Sequence, residues 1–142
     1  MLRHILLLLG ILLVAGGCQN GTDESVTPAN RARIMADGQY VGTFTRTTPT
    51  GKYRTANVTL TLANGRFSGS SDLARYPAIG SGTYTQTDEA TTFTDENAWT
   101  ADFDWTLILN GEFARSQEPD GTLVLQKKQG PDSYDTYRLR PR

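Results

Sequence analysis

The residues best equipped for chemistry lie close together. The stretch Phe93-Thr94-Asp95-Glu96-Asn97-Ala98-Trp99-Thr100-Ala101-Asp102-Phe103-Asp104-Trp105 holds four carboxylates and four aromatic rings. Two carboxylates could act as acid and base on a glycosidic bond while the indoles stack on sugar rings. Several acids could also supply oxygen ligands to Ca²⁺. The third reading is a long hairpin whose aromatics fill a core and whose acids face water, the usual place for acids near turns. Asp102 and Asp104, two apart on a strand, share a face, but no Asp-x-Asp-x-Asp-Gly loop follows. The hairpin is therefore the expectation, with no metal and no cofactor.

Arg46, Arg54, Arg66, Arg75 and Arg115 could place one or two guanidiniums inside a barrel to meet a ligand carboxylate. The alternative is the usual one for arginines on strands, facing solvent or lying over apolar neighbours. The only histidine is His4 and the only cysteine is Cys18, both at the start of the chain. Ser68, Ser70 and Ser71 therefore have no histidine base in the folded part, which excludes a Ser-His-Asp nucleophile. A zinc site built from histidine and cysteine is excluded on the same ground. No catalytic residue is assigned, and the protein is not expected to be an enzyme. Leu73 to Gly80 is the one long non-repetitive connection, either a plain loop or a lid over a barrel mouth.

The first seventeen residues have a different character. Met1-Leu2-Arg3-His4 is a short cationic lead, and Ile5 to Val14 is apolar apart from Gly10. Ala15-Gly16-Gly17 then supplies small residues before Cys18. These are the parts of a secretory signal peptide, and the run is about half the 20 residues a membrane span requires. Val14-Ala15-Gly16-Gly17-Cys18 resembles the lipobox of bacterial lipoproteins. The resemblance implies cleavage before Cys18, a diacylglycerol on its thiol and anchoring by several acyl chains, since one chain alone is marginal. Gln19 follows the cysteine where an Asp would favour inner-membrane retention in that family, which points to the outer membrane. Asp23-Glu24 is similar to the acidic surface-export signals of Bacteroidota lipoproteins, and fits a plain linker equally well.

Removing residues 1–17 leaves 125 residues, enough for one hydrophobic core. Thirteen basic residues then face fifteen acidic ones, so no basic excess points to nucleic acid. With Cys18 lipidated no thiol remains for a disulfide, and the fold must stand on packing. Residues 18–37 are expected to be the lipidated cysteine and a flexible tether, polar from Gln19 to Pro28, with one or two helical turns over Ala29 to Asp37 ended by Gly38.

From Gln39 the pattern turns to β. The mature chain holds 20 threonines, many on alternate positions. Ala56, Val58, Leu60 and Leu62 alternate with polar residues as a half-buried strand does, and Asn64-Gly65 marks a hairpin. Strands are also expected over Ser81 to Thr87, Ala90 to Thr94, Thr122 to Lys127 and Tyr134 to Arg140. Trp105, Leu107 and Leu109 form another, with Asn110-Gly111 turning into Glu112 to Arg115. Eight or nine strands with tight turns describe an all-β, antiparallel up-and-down meander, a closed or half-open barrel. The expected inward set is Phe44, Val58, Leu60, Leu62, Phe67, Tyr84, Phe93, Trp105, Leu107, Leu109, Leu123 and Leu125.

Four segments carry a second resemblance. They are Gly38-x-Tyr40-x-Gly42-Thr43-Phe44, Gly82-Thr83-Tyr84, Phe93-Thr94-Asp95 and Tyr137-Arg138-Leu139. Over Gly38 to Leu139 the domain, residues 38–142, resembles the lipocalin-like, calycin-type domains of Bacteroidota lipoproteins. The resemblance implies an architecture and names no ligand. The functional expectation is a membrane-anchored extracytoplasmic lipoprotein that binds a small apolar or amphipathic ligand in its barrel. Phe44, Tyr84, Phe93, Trp99, Trp105 and Arg75 are the candidate ligand contacts. The alternative is a structural or accessory subunit of an outer-membrane complex, with a packed barrel and an envelope protein as partner. The two readings differ in whether the lumen is empty or solid.

Overall fold

Alternation of apolar and polar residues sets one face of each strand inward, and eight strands suffice to close on themselves. The computed structural model describes residues 34–142, with Lys52 and Tyr53 described in backbone alone. The strands are β1 (Gly38–Thr48), β2 (Gly51–Ala63), β3 (Arg66–Ser71), β4 (Ser81–Gln86), β5 (Ala90–Asp95), β6 (Gly111–Gln117), β7 (Leu123–Gly130) and β8 (Ser133–Pro141). Each pairs antiparallel with the next, and β8 returns to pair with β1, giving a closed up-and-down barrel. The sheet has no free edge along which another chain could add.

Local chemistry explains the path. Ala56, Val58, Leu60 and Leu62 of β2 are buried, whereas Asn57 is exposed. Asn64 and Gly65 take φ of 52° and 75°, the left-handed pair that a two-residue hairpin requires. At two bends a side chain would not fit. A Cβ on Gly42 would sit 1.8 Å from the Arg138 carbonyl oxygen, and one on Gly82 would sit 1.9 Å from that of Thr94.

The lumen is filled by the chain itself. Phe44, Phe93, Phe113, Leu60, Leu62, Leu125 and Leu139 are all less than 2 % exposed. The rings form a continuous series: Phe44 to Tyr137 at 4.9 Å, Tyr137 to Phe113 at 5.7 Å, Phe113 to Phe93 at 5.9 Å and Phe93 to Phe67 at 5.1 Å. Most of these contacts are edge-to-face, which sets a positive ring edge against a negative ring face.

Both rims are closed. At the rim bearing the β2–β3, β4–β5 and β6–β7 turns, residues 34–37 run without helix and Met35 enters the core, 4 % exposed. The Gln86 amide accepts from the Met35 N–H at 2.8 Å and donates to its carbonyl at 3.0 Å. Asp37 accepts from the Asn64 N–H at 2.8 Å and the Tyr84 hydroxyl at 3.0 Å, and Tyr40 donates to the Ala36 carbonyl. Residues 34–37 thus belong to the barrel, not to a tether reaching Asp37. The expected lipobox, the expected lipidation of Cys18 and the rest of the expected tether fall outside the described residues.

At the opposite rim, residues 72–80 and 96–110 knit together into a cap. The Ala78 N–H donates to the Leu107 carbonyl, and the Leu109 N–H donates to that of Ala78. Tyr76 and Ala78 are buried beneath, with the Tyr76 ring edge-on to Phe44 at 5.3 Å. The expected strand over Trp105 to Leu109 is instead a single 3₁₀ turn, Trp105–Leu107, capped by the Asp104 carboxylate accepting from the Thr106 N–H. Asn110-Gly111 makes no hairpin: Gly111, at φ 88°, opens β6. Leu109 is buried as expected, Leu107 is half-buried, and Trp105 is 56 % exposed rather than inward.

Candidate functional site

A buried guanidinium is one of the ties between cap and barrel, beside Lys127 Nζ donating to the Asn110 carbonyl at 2.7 Å and Gln129 Nε2 donating to that of Thr106 at 3.1 Å. Arg46 follows Phe44 by two on β1, so it shares the inward face and is buried near the end of the strand. Its Nε donates to Asp135 Oδ1 at 2.6 Å and its Nη2 to Asp135 Oδ2 at 2.7 Å, a bidentate pair with a carboxylate 3 % exposed. The remaining donors reach the cap. Nη1 bonds Asp104 Oδ2 and Thr106 Oγ1, both at 2.9 Å, and Nη2 bonds the Thr106 carbonyl at 3.0 Å. The Asp135 hydrogen bond raises the Arg46 pKa against the opposing effect of burial. The Thr106 hydroxyl, with help from Arg46, holds Asp104 below the usual carboxylate range.

A second hub orders the start of the same loop. Asp95 Oδ2 accepts from the Trp99 indole N–H at 2.6 Å, and Asp95 Oδ1 accepts from the Asn97 amide at 2.7 Å. The same amide donates to the Ser81 carbonyl at 2.8 Å. Trp99 meets Phe103 edge-on at 5.6 Å, and the Arg75 guanidinium lies 5.1 Å from the Phe103 ring centre. Arg75, at φ 56°, also pairs with Asp102 at 2.5 Å. This hydrogen bond and one from Thr100 hold Asp102 at about 2. The Trp105 indole N–H donates to the Thr100 carbonyl at 3.0 Å.

The candidate contacts therefore separate. Phe44 and Phe93 are core residues. Tyr84 is half-buried at the opposite rim, its hydroxyl bound to Asp37 and its pKa raised to about 12 by burial and by that carboxylate. Trp99, Trp105 and Arg75 share the cap, so the six do not form one lumen site. The expected hairpin is corrected too, since its second strand is a 3₁₀ turn, whereas Glu96, Asp102 and Asp104 do face water as expected. Asp95 and Asp104 organise the loop, and Asp102 and Asp104 face different arginines. No cluster of three or more His, Cys, Asp or Glu residues that could hold a metal occurs among the described residues.

Of the five arginines considered, Arg46 and Arg115 are buried and Arg54, Arg66 and Arg75 are exposed. Arg115 is held by neutral acceptors: Gln86 Oε1 at 3.0 Å, Thr91 Oγ1 at 2.7 Å and the carbonyls of Ala90 and Thr87. Burial lowers its pKa. Asp135, Gln86 and Met35 are structural residues that the sequence reading did not single out. Parity offered a signal for the first, since Asp135 lies two before inward Tyr137.

Three cavities adjoin the outer wall, the cap and the first rim among the described residues. A groove of about 580 Å³ runs over the outer faces of β1, β2 and β3, lined by Val41, Thr43, Asn57, Thr59 and Ser70. A smaller one, about 220 Å³, adjoins Met35, Tyr40, Leu123 and Pro141. The arrangement defines a capped eight-stranded up-and-down barrel with an ordered aromatic loop on one rim. No family model, no curated protein and no solved structure matches the chain.

Proposed function

We propose that the protein is a lipid-anchored extracytoplasmic lipoprotein, non-enzymatic, serving as an accessory or structural subunit at the outer membrane. One observation carries the accessory reading: the lumen is occupied by Phe44, Tyr137, Phe113, Phe93 and Phe67. A solid barrel acts as a rigid mount, and its outer surface and loops are what it offers a partner. The anchor rests on Val14 to Cys18 and their resemblance to a lipobox.

Met35 favours one second reading. Its side chain fills the first rim much as a ligand would, beside the 220 Å³ cavity. An apolar ligand could take its place if residues 34–37 withdrew.

Native mass spectrometry of the protein purified from its own membrane tests both, alongside palmitate labelling of the wild type and Cys18→Ala. The accessory reading predicts acylated Cys18 and co-purifying envelope protein. A retained small apolar molecule transfers the function to the lumen. Absence of label, or a Cys18→Ala variant still fractionating with envelopes, overturns the anchor.

A further inference from the structure

We propose that the cap binds a glycan by stacking a pyranose ring on Trp105. The proposal rests on the reading of the barrel as a packed mount and gives that mount a partner chemistry.

Trp105 is the one large aromatic among the described residues that stands mostly in solvent, 56 % exposed. Its orientation is nevertheless fixed. The indole N–H is bound to the Thr100 carbonyl, and the neighbours on either side, Asp104 and Thr106, are tied to buried Arg46. Leu107 and Leu109 bond to Ala78 of the other loop. A side chain held this way loses little further freedom on binding, and that lowers the entropic cost of association.

The surroundings select the ligand. A protein hot spot is enclosed by contacts that exclude water. Here the other exposed large apolar residues, Ile34 and Val41, lie at the opposite rim and on the barrel wall, so among the described residues the indole has no second exposed large apolar side chain beside it at this rim. A cation would seek a free carboxylate, but Asp102 is paired with Arg75 and Asp104 with Arg46. Both carboxylates keep more than half of their side-chain surface exposed, 66 % and 52 %, and retain lone pairs. A neutral sugar matches this set. Its axial C–H groups carry slight positive charge that suits the negative ring face, and its hydroxyls donate to the carboxylates.

The loop also points the right way. The chain enters the barrel through residues 34–37 at one rim, and Trp105 occupies the other. An anchor upstream of Ile34 would attach at the rim opposite the indole and leave that rim accessible.

The test is affinity gel electrophoresis of the mature chain from Cys18, in gels containing soluble β-glucan, xylan, mannan or α-glucan. Co-sedimentation with purified peptidoglycan sacculi completes the panel. Retardation or co-sedimentation with at least one glycan is expected, unchanged in 1 M salt. Trp105→Ala should weaken it by about tenfold with no change in melting temperature, and Trp105→Phe should retain part of it. Three results overturn the proposal: no interaction across the panel, an interaction that Trp105→Ala leaves intact, or one abolished by salt. None depends on acylation, so a failed palmitate label would leave the result standing.

Discussion

Gln86 pairs with the backbone of Met35 as a neighbouring strand would, accepting from its N–H at 2.8 Å and donating to its carbonyl at 3.0 Å. The same Gln86 oxygen receives Arg115 Nη1 at 3.0 Å. A buried cation therefore orients the amide that holds the first described segment in place.

Met35→Ala should destabilise the barrel by about 2–5 kcal/mol, the range for truncating a buried methionine. Chemical denaturation should show a lower midpoint at unchanged slope. A loss below about 0.5 kcal/mol would mean that residues 34–37 do not close the rim.

Removing one member of the Arg46–Asp135 pair leaves the other charged and buried. Asp135→Ala should cost about 3–5 kcal/mol. Replacing both residues with apolar ones should cost much less than the sum of the single changes, and a double-mutant cycle on the melting transitions measures the difference.

Acid should loosen the cap before the barrel. The folded-state pKa of Asp104 is depressed, so its contribution is intact above the unfolded value near 4 and fades as pH falls through the lower folded value. Tryptophan fluorescence, from Trp99 and Trp105 together, should change over that window ahead of far-ultraviolet dichroism. Asp104→Asn should reduce the pH-dependent step to what Asp102 contributes at lower pH.

Alkali acts with the opposite sign. Burial raises the pKa values of Tyr40, Tyr76, Tyr84 and Tyr137, with Tyr84 at about 12. Stability from these groups is complete below the ordinary tyrosine value of 10 and declines as pH rises towards the folded values. Phenolate absorbance should therefore appear together with unfolding, and Tyr137 should ionise only in the unfolded chain.

Gly42→Ala and Gly82→Ala should each destabilise by about 1–3 kcal/mol or more, because the new methyl meets a backbone oxygen that cannot turn aside. Melting temperatures of the two variants against wild type decide this.

The barrel was legible because its signals are local. Ala56 to Leu62 alternate cleanly, and Asn64-Gly65 has the chemistry of a two-residue turn. The region from Trp105 to Leu109 misled because apolar residues two apart suit a strand as well as a 3₁₀ turn tucked under a loop. Its correction was written in Asp104-x-Thr106, a side chain capping a backbone N–H two residues on. Arg46 finds Asp135 across 89 residues, and no local pattern reveals such a pair. Only inward parity hinted at it, through Phe44 and Tyr137. Met35 lies between exposed Ile34 and Ala36 before the first strand, and its burial depends on a rim that exists only after folding.

The seam between β1 and β8 joins the first strand made to the last. Until the ribosome has produced β8, the growing chain is an open ribbon with both borders unsatisfied, and Phe44 has no Tyr137 to meet. Closure of the barrel therefore waits for β8, the last strand in the chain. A chain that ends before β8 leaves the outer border of β1 without a partner strand.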